Sequence, residues 1–79
     1  MGFAKTEQEI AERASRFLKA ELKRANLTYD ELAARMKKHG VVETRDSVSA
    51  KLKRGTFPAT FFIAALVAIG AEVVKLEDI

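Results

Sequence analysis

Cysteine is absent from this 79-residue chain, and there is a single histidine and a single proline. Without cysteine there is no disulfide and no thiolate zinc site, and one histidine does not build a histidine-based metal site. There is no cysteine nucleophile, no glycine-rich phosphate loop, and no serine or carboxylate arranged with His39 as a triad. His39 reads as a last-turn helix residue. The inventory gives catalysis no support, so the chain is expected to be no enzyme and to need neither cofactor nor metal. Long apolar runs are missing too. The longest, Phe61 to Ile69, is nine residues, where crossing a bilayer takes about 20, so it belongs to a core or an interface. The opening residues, Met1 to Thr6, lead into a charged helix and not into an apolar leader. A cytoplasmic location is expected, and the lack of cysteine suits a reducing compartment.

The length allows one domain over residues 1–79. A domain this small buries only about 60–65% of the surface its unfolded chain would expose. With staples excluded, helix packing or a partner subunit must supply the stability.

The net charge of +3 is unevenly spread. Residues 1–12 carry −2, residues 13–54 carry twelve bases against five acids for +7, and residues 55–79 carry −2. A contiguous basic block between mildly acidic ends is the footprint of a nucleic-acid binder. A charge run by itself is more often a solvated helix surface.

Start and stop signals predict helices over about 7–25, 29–39, 45–54 and 58–69. Thr6 and Glu9 form a capping box ahead of Ile10, Ala14, Phe17, Leu18, Leu22 and Ala25, an apolar stripe at spacings of three and four. Asn26-Leu27 breaks the pattern. Thr28 and Glu31 make a second box, opening a helix that turns Leu32, Ala33 and Met36 inward and stops at Gly40. Val41-Val42-Glu43 reads as a turn. Thr44 caps the next helix, which anchors Val48 and Leu52 and ends at Gly55. Thr56 is expected to cap the last helix, with Pro58 in its first turn. That helix is apolar nearly all round, so it must be surrounded by its own domain or by a second subunit. Val73 to Glu77 alternates weakly, as a short strand or extended tail would. The whole is expected to be all-α, a small bundle of four to five helices with a short extended C-terminal tail.

The helices at 29–39 and 45–54, joined by a short turn, have the arrangement of a helix–turn–helix. The stretch from Leu27 to Gly70 resembles the phage-repressor (Cro-like, XRE-type) helix–turn–helix domains, through Leu27-Thr28, Leu32-Ala33, Val48-Ser49 and Arg54-Gly55. The likeness covers roughly residues 16 to 70. "RFLKAELKRANLTYDELA" and "KLKRGTFPATFF" are similar to a family of small bacterial proteins with no assigned function. In the repressor pattern the small residue of the first helix and the buried aliphatic of the second lie ten positions apart; here Ala33 and Val48 lie fifteen apart. The connection or first helix is therefore longer by about five residues, more than one helical turn.

The repressor resemblance implies a lambda-repressor-like fold, double-stranded DNA as partner, and the second motif helix in the major groove while the first crosses the phosphates. The face opposite Val48 and Leu52 is expected to present Arg45, Ser47, Lys51 and Arg54. Arg45 can read a guanine edge, or simply sit solvated beside Asp46. Ser47 and Ser49 can bond bases or phosphates, or merely fill the helix start. Lys51, Lys53 and Arg54 suit phosphates, as do Lys37 and Lys38 in the extension, and a helix C-terminus also attracts bases. Glu43 and Asp46 count against a DNA face. Tyr29 and the phenylalanines at 17, 57, 61 and 62 read as packing. A homodimer through the last helix and the Val73–Leu76 tail is expected, since pairing two modules doubles the DNA contacts. The rival reading is a repressor-like scaffold that binds protein and not DNA.

Overall fold

A computed structural model describes residues 6–79 of the chain; residues 1–5, where the leader expectation chiefly falls, lie outside the described residues. Within it are four α-helices and no strand: α1 (Glu7–Arg24), α2 (Tyr29–Lys38), α3 (Arg45–Arg54) and α4 (Ala59–Ile69), followed by a 3-10 turn at Leu76–Asp78. The protein is a small all-α bundle. Among the described residues, no single helix is long and apolar enough to cross a membrane.

The helix ends follow from their own residues. Thr28 Oγ1 accepts from the Glu31 amide at 3.1 Å, and Glu31 Oε1 accepts from the Thr28 amide at 2.9 Å. This reciprocal cap satisfies two amides that the helix itself leaves unpaired. Thr44 and Ser47 repeat it at α3. At α1, Thr6 Oγ1 accepts from the Glu9 amide at 3.0 Å. Each helix is followed by a residue with left-handed backbone: Asn26, Gly40, Gly55 and Gly70. At Gly40 the chain doubles back so that the Val41 amide reaches the Met36 carbonyl at 3.0 Å.

The core gathers Leu18 and Leu22 from α1, Leu32 and Met36 from α2, Val48 and Leu52 from α3, and Phe61, Ala65 and Leu66 from α4. α2 packs on both α3 and α4, and α4 also packs on α1. Two side chains tie helix ends across the core. Ser15, buried in α1, donates to the Leu52 carbonyl at 3.3 Å, and Arg35 of α2 donates to the Ala68 carbonyl at 3.3 Å. Both carbonyls lie in the last turn of a helix, where no amide of the same helix is left to bond them.

Two expectations need correction. The buried stripe of α1 runs through Ser15, Leu18 and Leu22, while Ile10 and Ala25 are exposed. At 18 residues α1 is about 27 Å long and overhangs helices that are about 15–17 Å long. Thr56 does not cap α4. Pro58 holds the N-cap position with no side-chain bond, because a residue before proline avoids helical backbone and Phe57 cannot open the helix. Its own domain covers only part of α4, leaving Ile63 59% and Val67 46% exposed, so of the two ways of surrounding this helix the domain alone does not suffice. Of the two readings of the C-terminal segment, the tail holds and the strand does not: residues 71–75 run without regular structure up to the 3-10 turn, Val74 packs on the core, and Val73 and Leu76 face solvent.

Candidate nucleic-acid interface

α3 is positioned by Val48 and Leu52, both essentially without solvent exposure. Ala50 is two residues from each, about 200° around the helix from both, so it lies on the outermost ridge. Charged and polar residues flank that ridge, and the structure treats the two flanks differently.

On one flank Ser47, Lys51 and Arg54 follow one another at spacings of four and three, and all three are engaged. Ser47 Oγ accepts from the Thr44 amide at 2.8 Å and donates to Glu43 Oε1 at 2.6 Å. Lys51 Nζ donates to Glu43 Oε2 at 2.6 Å and lies 5.0 Å from the centre of the Phe61 ring. The Lys51 side chain is 24% exposed and that of Glu43 only 8%. Burial raises the Glu43 carboxyl, but the hydrogen bonds from Lys51 and Ser47, with the Lys51 charge, outweigh it and hold the group below its ordinary value. Arg54 folds forward, its Nε donating to Thr56 Oγ1 at 3.1 Å and its Nη2 to the Thr56 carbonyl at 3.0 Å.

This flank therefore joins the connection 39–44, α3 and α4 into one unit. Glu43 is not an acid facing a partner; its charge is neutralised within the fold. The sequence reading missed this role. The sequence carried half of the signal: Ser47 and Lys51 share a helix face at a spacing of four, but Glu43 stands before the N-cap Thr44, outside the helix, where spacing does not fix its direction.

On the other flank Arg45, Ser49 and Lys53 also recur at intervals of four. Arg45 and Lys53 are exposed and Ser49 half-buried. Neither Arg45 nor Lys53 has an ion-pair or hydrogen-bond partner among the described residues, in contrast to Lys51, which is paired with Glu43. Arg45 is thus not paired with Asp46, which is exposed beside it. Lys37 and Lys38 end α2, both exposed. Of the eight residues expected at the site, Arg45, Ser49, Lys53, Lys37 and Lys38 remain open to a partner, and Ser47, Lys51 and Arg54 serve the fold.

Arg45 also lines a shallow depression of about 480 Å³ with Leu27, Thr28, Tyr29 and Asp30. The N-terminal ends of α2 and α3 consequently open onto the same surface. Both ends carry the partial positive charge of a helix N-terminus. Tyr29 packs on the core, as expected of it. The phenylalanines form one cluster, with Phe57 5.2 Å from Phe61 and 6.0 Å from Phe62, and Phe17 6.4 Å from Phe62. They are packing residues, not a platform for bases. Among the described residues, no three histidine or carboxylate side chains come together to hold a metal ion.

Residues 10–74 match the family described as a domain of unknown function (DUF6471), and the chain belongs to that family. The matched stretch takes in α2, α3 and α4 whole, and all but the first turn of α1. No curated protein and no solved structure matches the chain.

Proposed function

We propose that this member of the family is a small sequence-specific DNA-binding protein, a transcriptional regulator, in which α2 and α3 act as a helix–turn–helix and α3 enters the major groove. The observation that carries the reading is the division of α3. Its Arg45–Ser49–Lys53 flank and its Ala50 ridge are free of internal partners, while the other flank is fastened to the body of the domain. A recognition helix needs both: a rigid seat, and unpaired side chains toward the base edges and phosphates. Ala50 is small, which allows the helix close approach to the groove floor. Two helix N-termini beside Arg45 add favourable potential for phosphates. The cytoplasm is the matching compartment.

The same reading includes a homodimer. α4 contains no charged residue, and Ile63 and Val67 form an exposed pair one turn apart. A two-fold contact through this face would bury them against their own copies.

The rival reading is a scaffold for protein partners. It is favoured by the same Ile63–Val67 pair and by Val42, exposed on the connection.

The deciding experiment titrates the full chain against a labelled random-sequence duplex at several salt concentrations. A log–log slope of about −0.9 per phosphate neutralised is expected. Arg45→Ala and Lys53→Ala should weaken binding with thermal stability unchanged. Lys53 is a cleaner probe than Lys51, whose loss also breaks the tether to Glu43. Absence of binding at low salt would put the scaffold reading first. Full affinity in both variants would show that α3 is not the reading helix.

A further inference from the structure

The basic residues of α1 lie outside the two motif helices, and the reading above gives them no task. Two of them, Lys19 and Lys23, line a second shallow depression of about 320 Å³ between the end of α1 and the start of α2. Its remaining lining includes Asn26 together with Leu27, Thr28 and Tyr29. Those last three residues also line the depression that holds Arg45. The two hollows thus adjoin at Leu27, Thr28 and Tyr29, and together they make a trough bordered by Arg45 at the start of α3 and by Lys19 and Lys23 on α1.

The charge along this trough is one-sided. Lys19 and Lys23 are exposed and have no carboxylate partner among the described residues. The trough's carboxylate is Asp30, at the Arg45 end. Glu31 lies outside its lining, and its carboxylate accepts from the Thr28 amide. The nearby Glu21 is paired with Arg24. Asn26, held at a positive φ of 57° where the chain leaves α1, contributes a neutral amide. An open channel with unpaired cations at both ends suits an extended polyanion more than a compact ligand.

We propose that the trough seats one sugar–phosphate backbone of the duplex whose major groove receives α3, with Lys19 and Lys23 neutralising phosphates beyond the recognition helix. This rests on the DNA-binding reading and extends it to α1. On this account α1 is part of the interface as well as a wall of the core. The exposed ridge carrying Lys19 and Lys23 faces the DNA while Leu18 and Leu22 face inward.

The test uses the full chain and a fluorescein-labelled 20-bp random-sequence duplex, with binding followed by anisotropy from low to moderate salt. Lys19→Gln combined with Lys23→Gln is expected to reduce the magnitude of the log–log salt slope by about 1.8, the loss of two neutralised phosphates. The double variant should keep its helical circular dichroism, because both side chains are in solvent. Lys19→Arg with Lys23→Arg should retain the wild-type slope. Lys75→Gln, which removes a charge from a different groove, should leave the slope unchanged. If the double glutamine variant keeps the wild-type slope while Arg45→Ala weakens binding, the trough is overturned and the DNA reading stands. If Lys75→Gln lowers the slope as much as a trough lysine does, the effect is one of net charge and the trough is again overturned. If the wild-type chain shows no salt-dependent binding at all, the DNA reading falls and the trough with it.

Discussion

Helices α3 and α4 are neighbours of ten and eleven residues, turned through 119° where one follows the other, and they are held by different forces. α3 carries five charged residues and buries two apolar ones, Val48 and Leu52. It is fixed by a reciprocal cap at one end, a left-handed glycine at the other, and the Glu43–Lys51 pair along one flank. α4 has no charge and no side-chain cap, and it buries Phe61, Ala65, Leu66 and Ala68. A helix held at its ends and by one tether keeps much of its surface for a partner. A helix held by packing gives that surface to the core. The candidate interface accordingly falls on the helix that contributes less to the core.

Phe61→Ala should break the comparison most sharply. Phe61 is buried where α4 meets the phenylalanine cluster and the Lys51 ammonium. Its truncation should cost about 3–5 kcal/mol, read as a lower midpoint in urea. A loss below about 1 kcal/mol would mean that packing does not hold α4.

The tether is expected to contribute less. Glu43→Gln keeps the shape but removes the charge, and should cost about 1.5 kcal/mol at pH 7. The sign with pH follows from the depressed carboxyl. The folded value lies below the ordinary 4.5, so the stabilisation is complete above that value and is lost as pH falls through the lower, folded one. The variant should flatten the acid limb of a stability–pH curve in that window. A residual slope should remain from Glu31, which the Thr28 amide also holds low. An unchanged acid limb would show that the Glu43–Lys51 pair contributes nothing.

Smaller again is the stop of α3. Gly55 has φ of +80°, and a Cβ there would meet no atom within 4 Å. Gly55→Ala should therefore cost about 1 kcal/mol, entirely from backbone conformation, and thermal unfolding reads it. The least effect on stability, within about 0.5 kcal/mol, is expected for Ile63→Ser with Val67→Ser, since both side chains are already partly in water. Sedimentation is the sensitive measurement for that pair. A dimer that becomes a monomer supports the α4 contact, and a wild-type chain that is monomeric at high micromolar concentration removes it.

The ends of the helices were legible because capping is local chemistry. Thr28 with Glu31, Thr44, Gly40, Gly55 and Gly70 act within three or four residues of themselves. Thr56 misled because proline restrained its neighbour Phe57 more strongly than threonine favoured a cap. The inward faces were legible where two apolar residues stood at helical spacing, as with Val48 and Leu52. Ile10 continued such a pattern past the point where any helix lies beside it. At the candidate site, the residue types could be read in order along the chain, but their availability could not. Lys51 and Lys53 look alike in sequence, yet one is held by Glu43 over Phe61 and the other stands in solvent.

The amino-acid order by itself determined four helices, their approximate limits, the apolar character of α4 and the concentration of positive charge between residues 13 and 54. These depend on interactions between residues a few positions apart. Only the tertiary structure decided which cations are free, that Ser15 and Arg35 close the ends of α3 and α4, and that Lys19 and Arg45 border one trough. The last two depend on residues 26 to 37 positions apart meeting in space, and the first on how the connection before α3 and the start of α4 fold back onto that helix; the packing of the core fixes both.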